Sequence, residues 1–526
     1  MADHWCDCFH RIFICFGNLL DHKIEFSLVL IRFYNIIPLQ FWGCGGTGRH
    51  AWLRTKCRKA WGFDSLHPYQ YNKKMKKFVI GFFIFISLSS FIFVISYLNP
   101  GVSLPILPSA NAEIKEQENL SWFSRAALDF YFDINILRKA DAGYVAIFAK
   151  NGRIIHATAK GMADIDNRIP MQTNTRFRIA SMTKPITAVA TLILIEEGKL
   201  KLDDPIEQYL PLANKIRVAL PDNQMLDNEF VTEPLKRSIT ILDLLTFSSG
   251  AGYNDSLDNK DQSELAKLWA QNDIYKGLGS LEDRVNKILQ LPFFEQPGEI
   301  WRYGWSTDIL ARIIEIASQK SFDQFLEERI FKPLDMTQTN FLSQENEDNK
   351  IAEVYSRNGA FNLTLIETPR SNPLDWTPGS SGLVSNAEDY IKFALMLWNG
   401  GIYDGKRILS SESISLMSYP HIQSGVLSSQ VDGMGFGLGV GVVINAKKTI
   451  LLDRDNDFFW SGFYGTNFFV SPKTGLVGVI MSQNQPLPAS PWPGSFGVFL
   501  APGFAFSGIL VLYILIQNKA TKIFFL

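Results

Sequence analysis

Residues 178–204 read RIASMTKPITAVATLILIEEGKLKLDD, with Ser181 and Lys184 three positions apart at the mouth of a run that has the character of a helix. Residues at that spacing share a helix face, so the Lys184 amine can reach the Ser181 hydroxyl. Pro185 belongs to a helix's first turn, which puts Ser181 at the N-terminus. There the free backbone N–H groups and the positive end of the dipole favour a developing anion. A lysine desolvated by its neighbours can lose its proton near neutral pH and act as a base. Taken alone, S-x-x-K reads more readily as a helix cap and a solvated lysine. The rest of the chain has to decide.

A length of 526 residues leaves ample room for a buried core, and a formal net charge of −1 argues against nucleic acid as the main partner. Cys6, Cys8, Cys15, Cys44 and Cys57 are all the cysteines of the chain, so the body beyond them can form no disulfide of its own. Residues 1–74 mix interrupted apolar runs with WGCGGTGRHAWLRTKCRKAWGFDSLHPYQ, which has neither helix nor strand period. This block resembles a structural RNA gene read as protein, with Met75 as the expected start; peptides from 1–74 in the native protein would refute that. Lys73, Lys74, Lys76 and Lys77 flank 21 uncharged residues, Phe78 to Leu98, inside an expected membrane anchor at 75–99 that begins in the cytoplasm. Residues 100–122, with Pro100, Pro105 and Pro108, read as a linker. The tail 487–526 carries a second uncharged run, 496–516, ahead of Lys519 and Lys522, which gives the same topology. The domain between is expected outside the cytoplasm, on the periplasmic side of a bacterial envelope.

That domain, 123–486, has strand-like edges and a helical middle. GYVAIFAK and RIIHATAKGMAD flank Asn151-Gly152, a strong hairpin signal. GFGLGVGVVI, FYGTNFFV and LVGVIMSQ follow near the other end, the last two joined by a Ser-Pro-Lys-Thr-Gly turn. Capping boxes are expected at Ser280 with Asp283, Ser321 with Gln324 and Ser385 with Glu388, and Asn399-Gly400-Gly401 should stop the last helix. The fold class is therefore α+β: one antiparallel sheet closed by the first and last strands and flanked by helices, with an inserted helical subdomain.

Beyond Met75 the only histidines are His156, expected as a half-exposed strand residue, and His421, expected in a solvated loop. No G-x-S-x-G elbow surrounds a serine, and a zinc site would have too few ligands outside the leader. A hydrolase built on this chain would draw its base from lysine or tyrosine.

The span from Phe148 to Pro211, with ITILDLLTFSSGAGY, PGEIWRYGWSTDILARIIE, PGSSGLVSNAEDYIKFALMLWNGG, GMGFGLGVGVV and WSGFYGTNFFVSPKTGLVGVIMSQ, closely resembles the serine β-lactamase and penicillin-binding-protein-like hydrolases, in their class C and esterase branch. Six blocks in family order are far more specific than one tetrapeptide. The resemblance implies a β-lactamase/transpeptidase-like fold with Ser181 as the acylated nucleophile, Lys184 as its partner and Tyr303 as the phenol that passes the proton to the leaving group. It further implies an oxyanion hole from the backbone N–H groups of Ser181 and Phe463, with Trp460, Ser461 and Gly462 as the third motif lining the site. Tyr303 could also be simple core packing within IWRYGW.

Three positions depart from the β-lactamase pattern. Trp305 replaces an asparagine, Trp460 a lysine that would grip a carboxylate, and Phe247 a frequent histidine. Losing the first two polar grips and gaining apolar wall points to an esterase-like specificity. The literal Lys473-Thr474-Gly475 falls in the turn between the last two strands and reads as solvated. The expected protein is a membrane-anchored serine hydrolase acting on a small-molecule ester or amide, with no metal or organic cofactor. The alternatives are a β-lactamase or D-amino-acid peptidase, or a membrane sensor acylated without turnover.

Overall fold

The computed structural model describes residues 129–485 apart from 130–131, 134, 138, 140, 221–224, 227–228, 254–262, 276–278, 343–350, 358–361, 367–375, 423–432, 447 and 449–454. The expected leader, membrane anchor, linker and tail span lie outside the described residues. Among the described residues no helix is long and apolar enough to cross a membrane.

Eight antiparallel strands form the central sheet: β1 (Gly143–Lys150), β2 (Arg153–Asp164), β3 (Ile169–Pro170), β4 (Met434–Phe436), β5 (Gly441–Val443), β6 (Phe458–Ser461), β7 (Asn467–Ser471) and β8 (Leu476–Met481). Their order is β4-β5-β6-β7-β8-β1-β2-β3, so the first strand pairs with the last, Val145 opposite Met481. The hairpin between β1 and β2 turns at Asn151 and Gly152, whose φ values of 50° and 80° are both in the left-handed region. That geometry matches the twist of the flanking strands, and Asn-Gly adopts it at little cost.

Alternation along β1 serves two cores. Val145, Ile147 and Ala149 face the main core, whereas Tyr144, Ala146 and Phe148 pack with Phe132 and Ile155 in a second cluster. The helical middle includes α1 (Thr183–Glu196), α2 (Ile241–Leu245), α3 (Leu281–Gln290), α4 (Ser306–Ser318), α5 (Phe322–Leu326) and α6 (Ala387–Trp398), besides further helices such as Glu264–Asn272 and Ser411–Ser418. Helix α6 packs on β8, β1 and β7, and α4 packs on α1. Every residue of α1 from Thr183 to Leu194 is buried, which makes it the central helix of the domain.

The expected helix starts meet three different outcomes. Ser280 and Asp283 form a full capping box. Helix α5 does begin after Ser321, but that side chain makes no capping bond. Helix α6 is capped by Asn386, which accepts from the Asp389 N–H, while Ser385 ends a short strand and its hydroxyl meets Thr339 instead. The capping signal was off by one because Asn caps as well as Ser and only strand pairing selects between them. A further box, Thr240 with Asp243, starts α2. Both histidine expectations also need correcting. His156 is buried, with Nε2 3.4 Å from the Asp129 carboxylate, a partner distant in sequence. His421 is half-buried and its Nε2 lies 3.0 Å from the Leu416 carbonyl oxygen. Lys473 is exposed in its turn, as expected.

Candidate active site

Ser181 sits in a single 3-10 turn, Ala180–Met182, that runs directly into α1. Ala180 has φ 44°, a left-handed conformation that costs a non-glycine residue on the order of 1–3 kcal/mol unless its surroundings enforce it. They do. Arg178 N–H donates to the Gln483 side chain and its carbonyl accepts from the same amide, so Gln483 acts as a strand partner just ahead of the turn. Ile179 N–H donates to Leu383 O at 3.0 Å, and Thr466 Oγ1 donates to Ile179 O at 3.2 Å. Tyr390 OH donates to Met182 O at 2.8 Å. The turn is thus held from both sides, and Ser181 stays 9 % exposed.

Lys184 is buried at 1 % exposure and donates three ways: to Ser181 Oγ at 3.3 Å, to Tyr253 OH at 3.1 Å and to the Ser380 carbonyl at 2.8 Å. Its Nζ also lies 4.6 Å from the centre of the Tyr303 ring. Burial pushes the Lys184 amine down to about 7, against the opposing charge of Asp308. Near neutral pH, an uncharged amine is therefore available beside the serine hydroxyl.

Tyr303 is 8 % exposed and belongs to a nest of rings, stacked on Trp301 and tilted against Phe247 and Trp460. Burial raises its phenol well above the ordinary range, while the Ser181 hydroxyl and the Trp460 ring work the other way. The phenol consequently keeps its proton, and of the two it is the lysine that titrates where a base is useful.

The approach of Tyr253 and Tyr303 to the lysine is a backbone achievement. Tyr253 N–H donates to Tyr303 O, and Trp305 N–H donates to Ala251 O at 3.0 Å. A Cβ on Gly304 would overlap the Ala251 carbonyl oxygen, so only glycine allows the two segments to run this close.

The remaining expected residues fall at graded distances from the chemistry. Trp460 lies at the end of β6 at 1 % exposure, wedged between Tyr303 and Phe436 with ring centroids 5.8 and 5.3 Å away. The Ser461 hydroxyl donates to Asn467, and Gly462 N–H donates to Thr466 O at 2.7 Å, so both are engaged in the strand turn. A Cβ on Gly462 would overlap the Ile179 carbonyl oxygen, so the backbone just ahead of half-buried Phe463 runs close to the nucleophile turn. Trp305 stands one layer out, packed against Tyr253 and Tyr275 with both centroids at 4.8 Å. Phe247 fills the floor beneath Tyr303 with φ 55°.

Tyr253, Ser380 and Asp308 were not singled out by the sequence reading. All three sit inside the blocks SSGAGY, PGSSG and YGWSTD, and Asp308 is wholly buried near the start of α4.

A family profile described as Beta-lactamase matches residues 134–491. The chain belongs to that family. Among curated proteins it is 31 % identical over 358 residues to Protein Rv1367c of Mycobacterium tuberculosis, covering 66 % of this chain and 86 % of that protein. It is 28 % identical over 382 residues to Esterase EstB of Burkholderia gladioli, covering 68 % and 90 %. Among solved structures it superimposes on EstCE1, a hydrolase with promiscuous acyltransferase activity, with a TM-score of 0.60, 23 % identity, and coverage of 73 % of this chain and 99 % of that one. The fold is thus the α+β one of β-lactamases and transpeptidases, and the chain is a β-lactamase-fold hydrolase with esterase relatives.

Proposed function

We propose that this protein hydrolyses ester bonds through an acyl-enzyme on Ser181. The observation that carries the reading is the buried Lys184 amine, 3.3 Å from Ser181 Oγ and brought to about 7 by burial. Neutral Lys184 takes the hydroxyl proton as Ser181 attacks the carbonyl, and the backbone N–H groups of Ser181 and Phe463 receive the oxyanion. Tyr303, protonated and against both residues, hands a proton to the leaving alcohol as the lysine resupplies it. Water then repeats the sequence on the acyl-serine.

The preference for esters over β-lactams rests on Trp460 and Trp305, buried apolar rings packed against Tyr303 and Tyr253 at positions where the β-lactamase pattern carries a lysine and an asparagine for an antibiotic's carboxylate and amide. The esterase among its relatives supports the same choice. We infer in addition that residues 78–98 anchor the domain on the extracytoplasmic side, from the lysines that precede an uncharged run.

The test is turnover of a short-chain nitrophenyl ester and of a chromogenic cephalosporin by the full chain in detergent, beside Ser181→Ala. Ester turnover lost in the variant, with little cephalosporin cleavage, is expected. Cephalosporin cleavage at comparable rates would favour the β-lactamase alternative, and a burst without steady release would favour a sensor. Equal ester turnover in Ser181→Ala would sink the acyl-enzyme.

A further inference from the structure

Asp308 is wholly buried on α4, one turn beyond Tyr303 and Trp305, and no step of the reaction above uses it. Its Oδ1 accepts from the Ser380 backbone N–H at 3.1 Å and from the Ser380 hydroxyl at 3.0 Å. The carbonyl of the same residue accepts from Lys184 Nζ at 2.8 Å. One residue therefore lies between two buried ionisable groups, with its donors turned to the acid and its acceptor turned to the amine. The stretch that carries it is gripped further: Thr187 Oγ1 donates to Gly379 O at 2.6 Å, and a Cβ on Gly379 would overlap the Thr307 carbonyl oxygen. Neither α1 nor α4 can shift without moving that bridge.

A lone carboxylate in such a place would be expelled or neutralised, and its retention needs an opposite charge. The other ionisable groups around the amine are the phenols of Tyr253, Tyr303 and Tyr275, all raised chiefly by burial and so uncharged at working pH. Among the described residues that leaves Asp308 as the negative charge that acts on Lys184. The reverse also holds, since burial raises the Asp308 carboxyl to about 6 while Lys184 and the Ser380 donors oppose that rise.

We propose that Asp308 is the counter-ion of Lys184 and a positioning residue for the reaction, acting through the Ser380 bridge so that its charge sets the pH range of turnover. This inference rests on the reading of Lys184 as the base. Loss of the carboxylate charge makes the ammonium less favourable, so the amine becomes neutral at a lower pH and the acid limb of activity moves toward acid.

The measurement is kcat/KM against pH for ester hydrolysis by the full chain and by Asp308→Asn, which keeps one oxygen acceptor for Ser380 while the other oxygen becomes an uncharged NH2 group, so that the charge is lost. The expected displacement is about one pH unit or more toward acid. At one unit below the wild-type midpoint the variant would then retain about five-fold more of its own maximum than the wild type does of its own. Ser380→Ala, which takes one donor from the carboxylate and leaves α4 untouched, is expected to move the limb the same way by less, and decides the matter if Asp308→Asn does not fold. Fluorophosphonate labelling of Ser181 against pH should follow the same shift. An unmoved limb on Ser181-dependent turnover would overturn this inference alone and leave Asp308 as a clamp on the 379–380 segment. Wild-type turnover that survives Ser181→Ala would overturn it together with the acyl-enzyme.

Discussion

Replacing Gly462 by alanine tests the proposed oxyanion donors, which side-chain deletion cannot reach because both would be backbone N–H groups. A Cβ at this position overlaps the Ile179 carbonyl oxygen and the Thr466 hydroxyl, and lies 3.1 Å from the Ile179 carbonyl carbon. The Thr466 hydroxyl can rotate away, at the loss of its bond to Ile179 O. The carbonyl cannot, because Ile179 is held by Leu383 and its neighbour Arg178 by Gln483. Relief therefore requires the 462–466 turn and the 179–182 turn to part by about 1 Å, a misplacement that costs on the order of 100-fold in rate. Overpacking of this kind costs about 1–3 kcal/mol in stability, readable as a fall of a few degrees in Tm. Ester hydrolysis by the purified full chain should show kcat reduced far more than KM is raised, since the donors act on the oxyanion and little on the ground-state ester. Activity within two-fold of wild type at unchanged Tm would refute the close approach and the oxyanion role with it.

The pH profile of the wild type should rise through about 7 as Lys184 loses its proton, because burial lowers the amine to that value and only its neutral form accepts the serine proton; a flat profile between pH 5 and 9 would count against it. Lys184→Met should lower kcat by about 10²–10⁴-fold, the usual worth of a positioned general base, as read by steady-state ester kinetics. Tyr253→Phe removes the acceptor 3.1 Å from the lysine and is expected to reduce kcat/KM by about ten-fold or more with the fold intact by circular dichroism, since a hydrogen bond to a charged group is worth about 1.5–3 kcal/mol. Trp460→Lys, which restores the β-lactamase residue type, should destabilise the domain by about 3–5 kcal/mol in denaturant unfolding without gaining cephalosporin turnover, because that side chain is 1 % exposed among Tyr303 and Phe436.

Local signals were legible wherever the chain decides its own conformation. Asn151-Gly152 specifies its turn through the φ values those residues tolerate, and Ser280 with Asp283 through side chains three positions apart. The signal failed where two local solutions compete, as at Ser385 and Asn386, because strand pairing with residues 340–341 and 177–178 settles which residue caps α6. The burial of His156 has the same origin: a strand pattern cannot say that Asp129 and Phe148 will cover it.

The sequence by itself determined that the serine and the lysine can meet, since side chains three positions apart on a helical turn lie within reach of each other. It also carried the family resemblance by which Trp305 and Trp460 are read as replacing polar grips on an anionic substrate. Only the tertiary structure decided that the lysine is dry, with Tyr253 and Ser380 brought to it from 69 and 196 positions away and the Asp308 charge held behind Ser380. A proton affinity is set by every charge, dipole and water within a few ångströms, and that shell is assembled from segments whose proximity no local pattern records.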